Sequence, residues 1–171
     1  MARLAPFVPD PAPLPGVERL DLGVLSIRRL RRFGPELPKL DLLPAALAVG
    51  RAARAEQLLL AAPAPGEWLV LGPHAAVAAL APAQDPTAFL ALEIDEACAL
   101  FRLAPATAVE ALAAYAPIDP MTLAPGTATH AQLAELTAFL IPEPDGELLL
   151  LIGAADADHL IALLALLTTD R

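Results

Sequence analysis

Few residues in this 171-residue chain have the types and spacing that catalysis needs. Glu93 and Asp95 are two positions apart, so on a β-strand their carboxylates would share a face. Paired carboxylates can act as acid and base when their pKa values are split. Acidic residues beside a turn are more often simply solvated, so both interpretations stay open.

Cysteine and histidine give weaker signals. Cys98 lies among apolar neighbours in ACALF, whereas a reactive thiolate needs electropositive, partly exposed surroundings. We interpret it as a buried structural cysteine. The histidines lack the i, i+4 spacing of a helical metal site, and no glycine-rich phosphate loop is present. We therefore expect no catalytic residue and no metal site; the histidines in question are His74, His130 and His159.

The only basic patch is SIRRLRR, with arginines at Arg28, Arg29, Arg31 and Arg32. It could bind an acidic partner or an anionic ligand such as a polyglutamyl tail. Alternatively, its charges solvate an edge strand and protect it from aggregation. Trp68 lies inside an apolar run and is interpreted as a core anchor.

Composition limits the partners. The net charge is −9 and the sequence pI is about 4.6, which disfavours nucleic acid and anionic membranes because both repel an acidic surface. No apolar stretch approaches the ~20 residues that cross a bilayer. The single cysteine requires no oxidising compartment, so we expect a cytoplasmic protein. Hydrophobic residues make up 57%, which indicates either a partner surface or an Ala/Leu-biased coding composition.

The patterning predicts a proline-rich N-terminal arm over residues 1–22 and a single domain over 23–171. Gly23 to Arg32 is expected to be the first ordered element and an edge strand. Residues 42–55 are ambiguous between a short helix after Pro44 and a loop. The remaining segments predict three strand pairs: Glu56 to Ala61 with Glu67 to Leu71, Ala88 to Ile94 with Ala97 to Leu103 across a tight Asp95-Glu96 turn, and Thr127 to Leu133 with Leu136 to Ile141.

Helices are predicted over His74 to Leu80, from Ala104-Pro105 to Tyr115, and over His159 to Leu167. Glu147 to Ile152 is almost wholly apolar, so it is predicted to be a central strand buried on both faces. The order of strands and helices indicates an α+β fold with a mostly antiparallel sheet and helices on one side.

Several segments, in order, resemble the gamma subunit of heterotetrameric sarcosine oxidase. They begin with PGEWLVLG at 65–72 and continue through LEID, LFRLAP, APIDP, APG and HAQLAELTAFLI within 92–141. The final ELLLLIGAADADHLIALLALL is similar to that family's last strand and closing helix. The chain departs from the family pattern at Asp95, Ala104 and Ala116.

The resemblance implies a ferredoxin-like fold related to the folate-binding domain of the glycine-cleavage T-protein. It also implies a cofactor-free, non-catalytic subunit that braces the large subunit of a flavoenzyme oxidatively demethylating sarcosine. FAD, FMN and NAD would be carried by the larger subunits, where tetrahydrofolate accepts the one-carbon unit. The isolated chain could form a homo-oligomer. The alternative is a stand-alone tetrahydrofolate-binding or aminomethyltransferase-like module, for which Glu93 and Asp95 are the weak folate-site candidates.

Overall fold

The computed structural model describes residues 13–33, 47–79 and 89–169. Ten strands and three helices follow one another in these ranges. The strands are β1 Val17–Arg19, β2 Leu25–Arg32, β3 Ala52–Ala55, β4 Leu58–Ala64, β5 Glu67–Pro73, β6 Phe89–Glu93, β7 Cys98–Leu103, β8 Thr129–Leu133, β9 Leu136–Pro142 and β10 Leu148–Gly153. The helices are α1 His74–Ala79, α2 Pro105–Tyr115 and α3 Ala157–Thr169.

The strands form two five-stranded antiparallel sheets. The first, named the N-sheet, has the order β3-β4-β5-β2-β6 and comes from the first half of the chain. The second, the C-sheet, has the order β1-β7-β10-β9-β8. In the C-sheet, β10 pairs antiparallel with both β7 and β9. Helix α2 carries the chain from β7 to the edge strand β8, and β8, β9 and β10 then form an antiparallel meander that returns to β7.

Three apolar clusters show how the layers pack. One lies between the C-sheet and helices α2 and α3, and includes Phe101, Leu150 and Leu160. A second joins the two sheets, with Ile27 from the N-sheet and Leu149 from the C-sheet among its members. Because side chains alternate between the faces of a strand, β10 contributes to both clusters, and residues 148–152 are all buried. This confirms the prediction of a central strand.

The third cluster lies on the outer face of the N-sheet. Trp68 of β5 and Val77 of α1 belong to it, and only 7% of Trp68 is exposed, which confirms the prediction of a core anchor. Local turn chemistry shapes the adjacent strands: Gly66 has a φ of 74° in the β4–β5 turn, and the register shifts between Ala61 and Ala64 around Pro63. Proline has no N–H to donate to the ladder, and at such a bulge the ladder is already interrupted, so proline is tolerated there.

The α+β class and its mostly antiparallel pairing are confirmed, but the strands divide between two sheets where one was expected. Helices α2 and α3 share one face of the C-sheet, while α1 packs on the N-sheet. The predicted tight turn at Asp95-Glu96 is a 3₁₀ turn, Asp95–Ala97. It carries the chain from β6 in one sheet to β7 in the other, so these strands form no hairpin.

Strand β2 is not an edge strand, because it lies between β5 and β6. It is also not the first ordered element: β1, within the predicted arm, pairs with β7 from Val17 opposite Leu103 to Arg19 opposite Phe101. Of the ambiguous segment 42–55, residues 52–55 form β3. The arm up to residue 12 and the start of a helix after Pro44 lie outside the described residues.

In the described parts of the chain, no helix combines the length and apolarity needed to span a bilayer.

Candidate functional site

The two carboxylates singled out in the sequence do not converge on a common point. Glu93 ends β6, and its Oε1 lies 2.5 Å from Nη2 of Arg28. Asp95 lies beyond the strand in the 3₁₀ turn, where its Oδ1 accepts the backbone N–H of Ile27. Because Asp95 lies outside the strand, the two carboxylates do not share a strand face as the sequence had suggested. Each carboxylate binds a different group of β2 and holds the crossing from β6 to β7 in place.

Arg28 is the buried member of its ion pair. Its side chain is 9% exposed against 54% for Glu93, and its Nη1 also donates to the carbonyl of Val77 at 3.3 Å. Burial of a charge is tolerated when the charge is paired and hydrogen-bonded. Arg28 thus links β2 to both β6 and α1.

The rest of the basic patch is divided between the faces of β2. Arg29 and Arg31 alternate with Arg28, so they lie on the face that also carries Ile27 and looks toward the C-sheet. Both bind Glu67 of β5: Arg29 Nη2 at 2.6 Å and Arg31 Nε at 3.5 Å. Within the described part of the chain, these two guanidinium groups therefore share one carboxylate, and their ion pairs carry one positive charge in excess.

Strand β6 exposes apolar side chains beside these arginines. Leu92 is paired with Arg29 and Leu90 with Arg31, so all four side chains share a face. Leu90 is 38% exposed and Leu92 is 45% exposed. No described residue of β6 belongs to the three apolar clusters. We call the surface formed by Leu90, Leu92, Arg29 and Arg31 the β6 face.

Cys98 borders an open depression of about 480 Å³. Segments 19–23 and 95–99 line most of it, with acidic groups at Asp21 and Glu96. Burial raises the pKa of the Cys98 thiol, the charge of Asp95 raises it further, and Arg29 lowers it. A raised pKa leaves less thiolate at neutral pH. Cys98 is half-buried, whereas a buried cysteine was expected, and its raised pKa does not favour a role as a nucleophile.

A second groove, of about 200 Å³, lies between the first turns of α2 and the turn after β9. Beside it, Glu143 is 7% exposed. Its Oε2 accepts from Nε and Nη2 of Arg54 at 2.9 and 2.6 Å. Since Arg54 belongs to β3 and Glu143 follows β9, this ion pair joins the two sheets. The sequence contained no signal for it, because the partners are far apart in the chain.

The three histidines lie on three different elements. His74 begins α1, and His130 of β8 stacks at a tilt against Phe139 with ring centroids 4.8 Å apart. His159 of α3 lies 2.9 Å from Glu135. In the ranges 13–33, 47–79 and 89–169, no group of three or more His, Cys, Asp or Glu side chains could hold a metal ion.

No protein-family model matches the sequence, and no curated protein matches it significantly. Among solved structures, the chain is similar to one in the structure described as heterotetrameric sarcosine oxidase from Corynebacterium sp. U-96 in complex with pyrrole 2-carboxylate. The TM-score is 0.75 at 18% identity, and the match covers 90% of this chain and 83% of that chain. The resemblance to a sarcosine oxidase chain is thus confirmed at the level of the fold.

Proposed function

We propose that this chain is a non-catalytic, gamma-type subunit of a sarcosine-oxidase-like flavoenzyme complex, in which it braces the large subunit. The observation that carries this proposal is the fold similarity, because the match extends over most of both chains. Since the match covers 83% of that chain, the counterpart is most of one chain of that complex and not a small part of it.

The engagement of the charged groups supports a structural role. Glu93 and Asp95 are the candidates for holding a pterin, yet one binds Arg28 and the other binds the backbone of Ile27. A carboxylate that recognises a ligand must leave these contacts or share them. The stand-alone folate-binding alternative therefore has little support from the geometry of this pair.

The exposed leucines of the β6 face supply a surface for a partner. Subunits that remain permanently associated bury more apolar surface at their interfaces than transient partners do. In this proposal the larger, cytoplasmic subunits carry FAD, FMN and NAD and provide the tetrahydrofolate site. This chain holds none of these groups and contributes by positioning its neighbours.

Co-expression with the large flavin-binding subunits of a sarcosine-oxidase-type enzyme tests the proposal. We expect a stable complex in size-exclusion chromatography and oxidation of sarcosine by that complex. A monodisperse monomer that ignores these subunits would contradict it. Calorimetry of the isolated chain with tetrahydrofolate is the complementary measurement, since micromolar binding would favour the stand-alone module instead.

A further inference from the structure

We infer that the free edge of β6, together with the β6 face, binds an extended acidic segment of the large subunit, which joins the N-sheet as a sixth strand. The inference rests on the proposed function and names the surface through which this chain would hold its partner. It stands on three observations: the backbone of β6, its contrast with the other sheet edges, and the charge beside it.

The backbone of β6 has hydrogen-bonding groups that face away from the sheet. Ile94 donates its N–H to the carbonyl of Ile27 at 3.0 Å, which sets the phase of the β2–β6 ladder. Because the backbone groups of successive residues point to opposite edges of a strand, the N–H and C=O groups of Leu90 and Leu92 point toward β2. The N–H and C=O groups of Ala91 and Glu93 point away from the sheet. Among the described residues, no strand pairs with this edge.

The other three sheet edges carry features that discourage pairing. Strand β1 is only three residues long and has charges at Glu18 and Arg19. Strand β3 is covered, since Ala52 donates its N–H to the carbonyl of Gly126 at 3.0 Å. Strand β8 exposes polar His130 and Gln132. Strand β6, with the sequence FLALE, exposes leucines instead, so it is the edge best suited to add a strand.

Charge identifies the kind of strand that fits. Among the described residues, Arg29 and Arg31 share the carboxylate of Glu67, so these ion pairs carry one positive charge in excess on a chain whose net charge is −9. A second copy of this chain would bring the same excess to the same face. Electrostatic complementarity therefore favours a different partner. The side chains that its strand places on the β6 face would include apolar groups against Leu90 and Leu92 and carboxylates directed toward the two arginines.

Two substitutions in the co-expressed complex test the inference. Ala91→Pro removes an outward N–H and leaves the pairing with β2 intact, since proline is accepted where the N–H faces away from the sheet. Leu92→Glu places a negative charge where the acidic strand would lie. The matched control is Leu166→Glu on α3, because Leu166 is also exposed, at 59%. Thermal unfolding of each variant verifies that it is folded.

We expect both β6 variants to raise the dissociation constant for the large flavin-binding subunit by roughly tenfold or more. The control variant should bind as tightly as the wild type. If the wild type binds and the β6 variants bind equally well, the inference is wrong while the proposed function stands. If the wild type does not bind, the proposed function fails and the inference fails with it.

Hydrogen exchange of the isolated chain gives an independent measurement. The amides of Ala91 and Glu93 should exchange rapidly in the free chain and become protected in the complex. Protection in the free chain at every concentration would mean that the chain covers its own edge. Protection that grows with concentration would mean that a second copy does so. Either result overturns the inference.

Discussion

The ion pair between Glu93 and Arg28 offers a direct way to separate a structural carboxylate from one that binds a ligand. We consider Glu93→Gln, Arg28→Met and the double variant. The side chain of Arg28 is 9% exposed and that of Glu93 is 54% exposed. Glu93→Gln therefore leaves a buried charge without its counter-charge, whereas Arg28→Met leaves a carboxylate that water can reach.

The magnitudes follow from this asymmetry. Removing one partner of a fully buried ion pair costs about 3–5 kcal/mol. Here water reaches the Glu93 side and Arg28 keeps the carbonyl of Val77, so we expect about 2 kcal/mol for Glu93→Gln. Methionine retains most of the apolar stem, so Arg28→Met should cost about 1 kcal/mol or less. The double variant should match Arg28→Met, since no buried charge remains.

Thermal unfolding measures these differences. In a chain of this size 1 kcal/mol corresponds to a shift of roughly 2–4 °C in Tm, so Glu93→Gln should lower Tm by roughly 4–8 °C. An unchanged or higher Tm for Glu93→Gln would refute the reasoning. It would indicate that Glu93 is held for a ligand at the expense of stability.

Three further predictions concern other parts of the fold. Arg54→Met should lower the free energy of unfolding in urea by about 2 kcal/mol, and Glu143→Gln should lower it by about 1 kcal/mol. The reason is that the carboxylate is the buried partner here, at 9% against 51% exposed. Asp95→Asn should speed the alkylation of Cys98 by iodoacetamide at about pH 8, because Asp95 raises the pKa of that thiol. Leu150→Ala should cost about 3–5 kcal/mol in thermal unfolding, since Leu150 is 0% exposed.

Each of these measurements has its own contrary result. Equal losses for Arg54→Met and Glu143→Gln would mean that burial does not decide which partner matters. For Cys98, the urea-unfolded forms of both proteins are the control and should react at equal rates. Slower alkylation of the folded Asp95→Asn variant would reverse the assigned sign. A cost below about 1 kcal/mol for Leu150→Ala would show that the layer beneath α2 and α3 is loosely packed.

The parts of the fold that local chemistry determines could be predicted from the sequence. The β4–β5 hairpin follows from the PAPG turn, and α2 begins at Pro105, where proline suits a first turn. The almost wholly apolar run from Glu147 to Ile152 predicted the two-sided burial of β10. Each of these signals lies within the residues that form the element.

The division into two sheets could not be predicted, because it depends on partners far apart in the chain. Asp95–Ala97 has the composition of a hairpin turn, yet it passes between sheets. The four arginines suggested an edge strand because the β2–β5 and β2–β6 registers were unknown. Those registers bring Glu67 and Glu93 opposite the arginines, and this pairing allows a charged strand to lie in the middle of a sheet.

The candidate site was predicted in part. Glu93, Asp95 and the arginines were identified by type, but their hydrogen bonds and ion pairs are with one another or with backbone, and Asp95 also borders the open depression beside Cys98. Leu90 and Leu92 were missed, because a strand-like run does not reveal whether its neighbours will cover it. Alternation along β2 did contain a usable signal: Arg29 and Arg31 share a face that Arg28 does not.

The connectivity of the sheets has a consequence for biosynthesis. The N-sheet draws on residues 25–93, and all of these leave the ribosome before the C-sheet strands that cover its inner face. Until residues 98–153 follow, the leucines of that face have no partner, and nascent chains in this state are prone to aggregate. Strand β1, made first of all, must wait for β7 before it can pair. A ribosome that pauses between the two halves would therefore prolong the stage at which the nascent chain is most prone to aggregate.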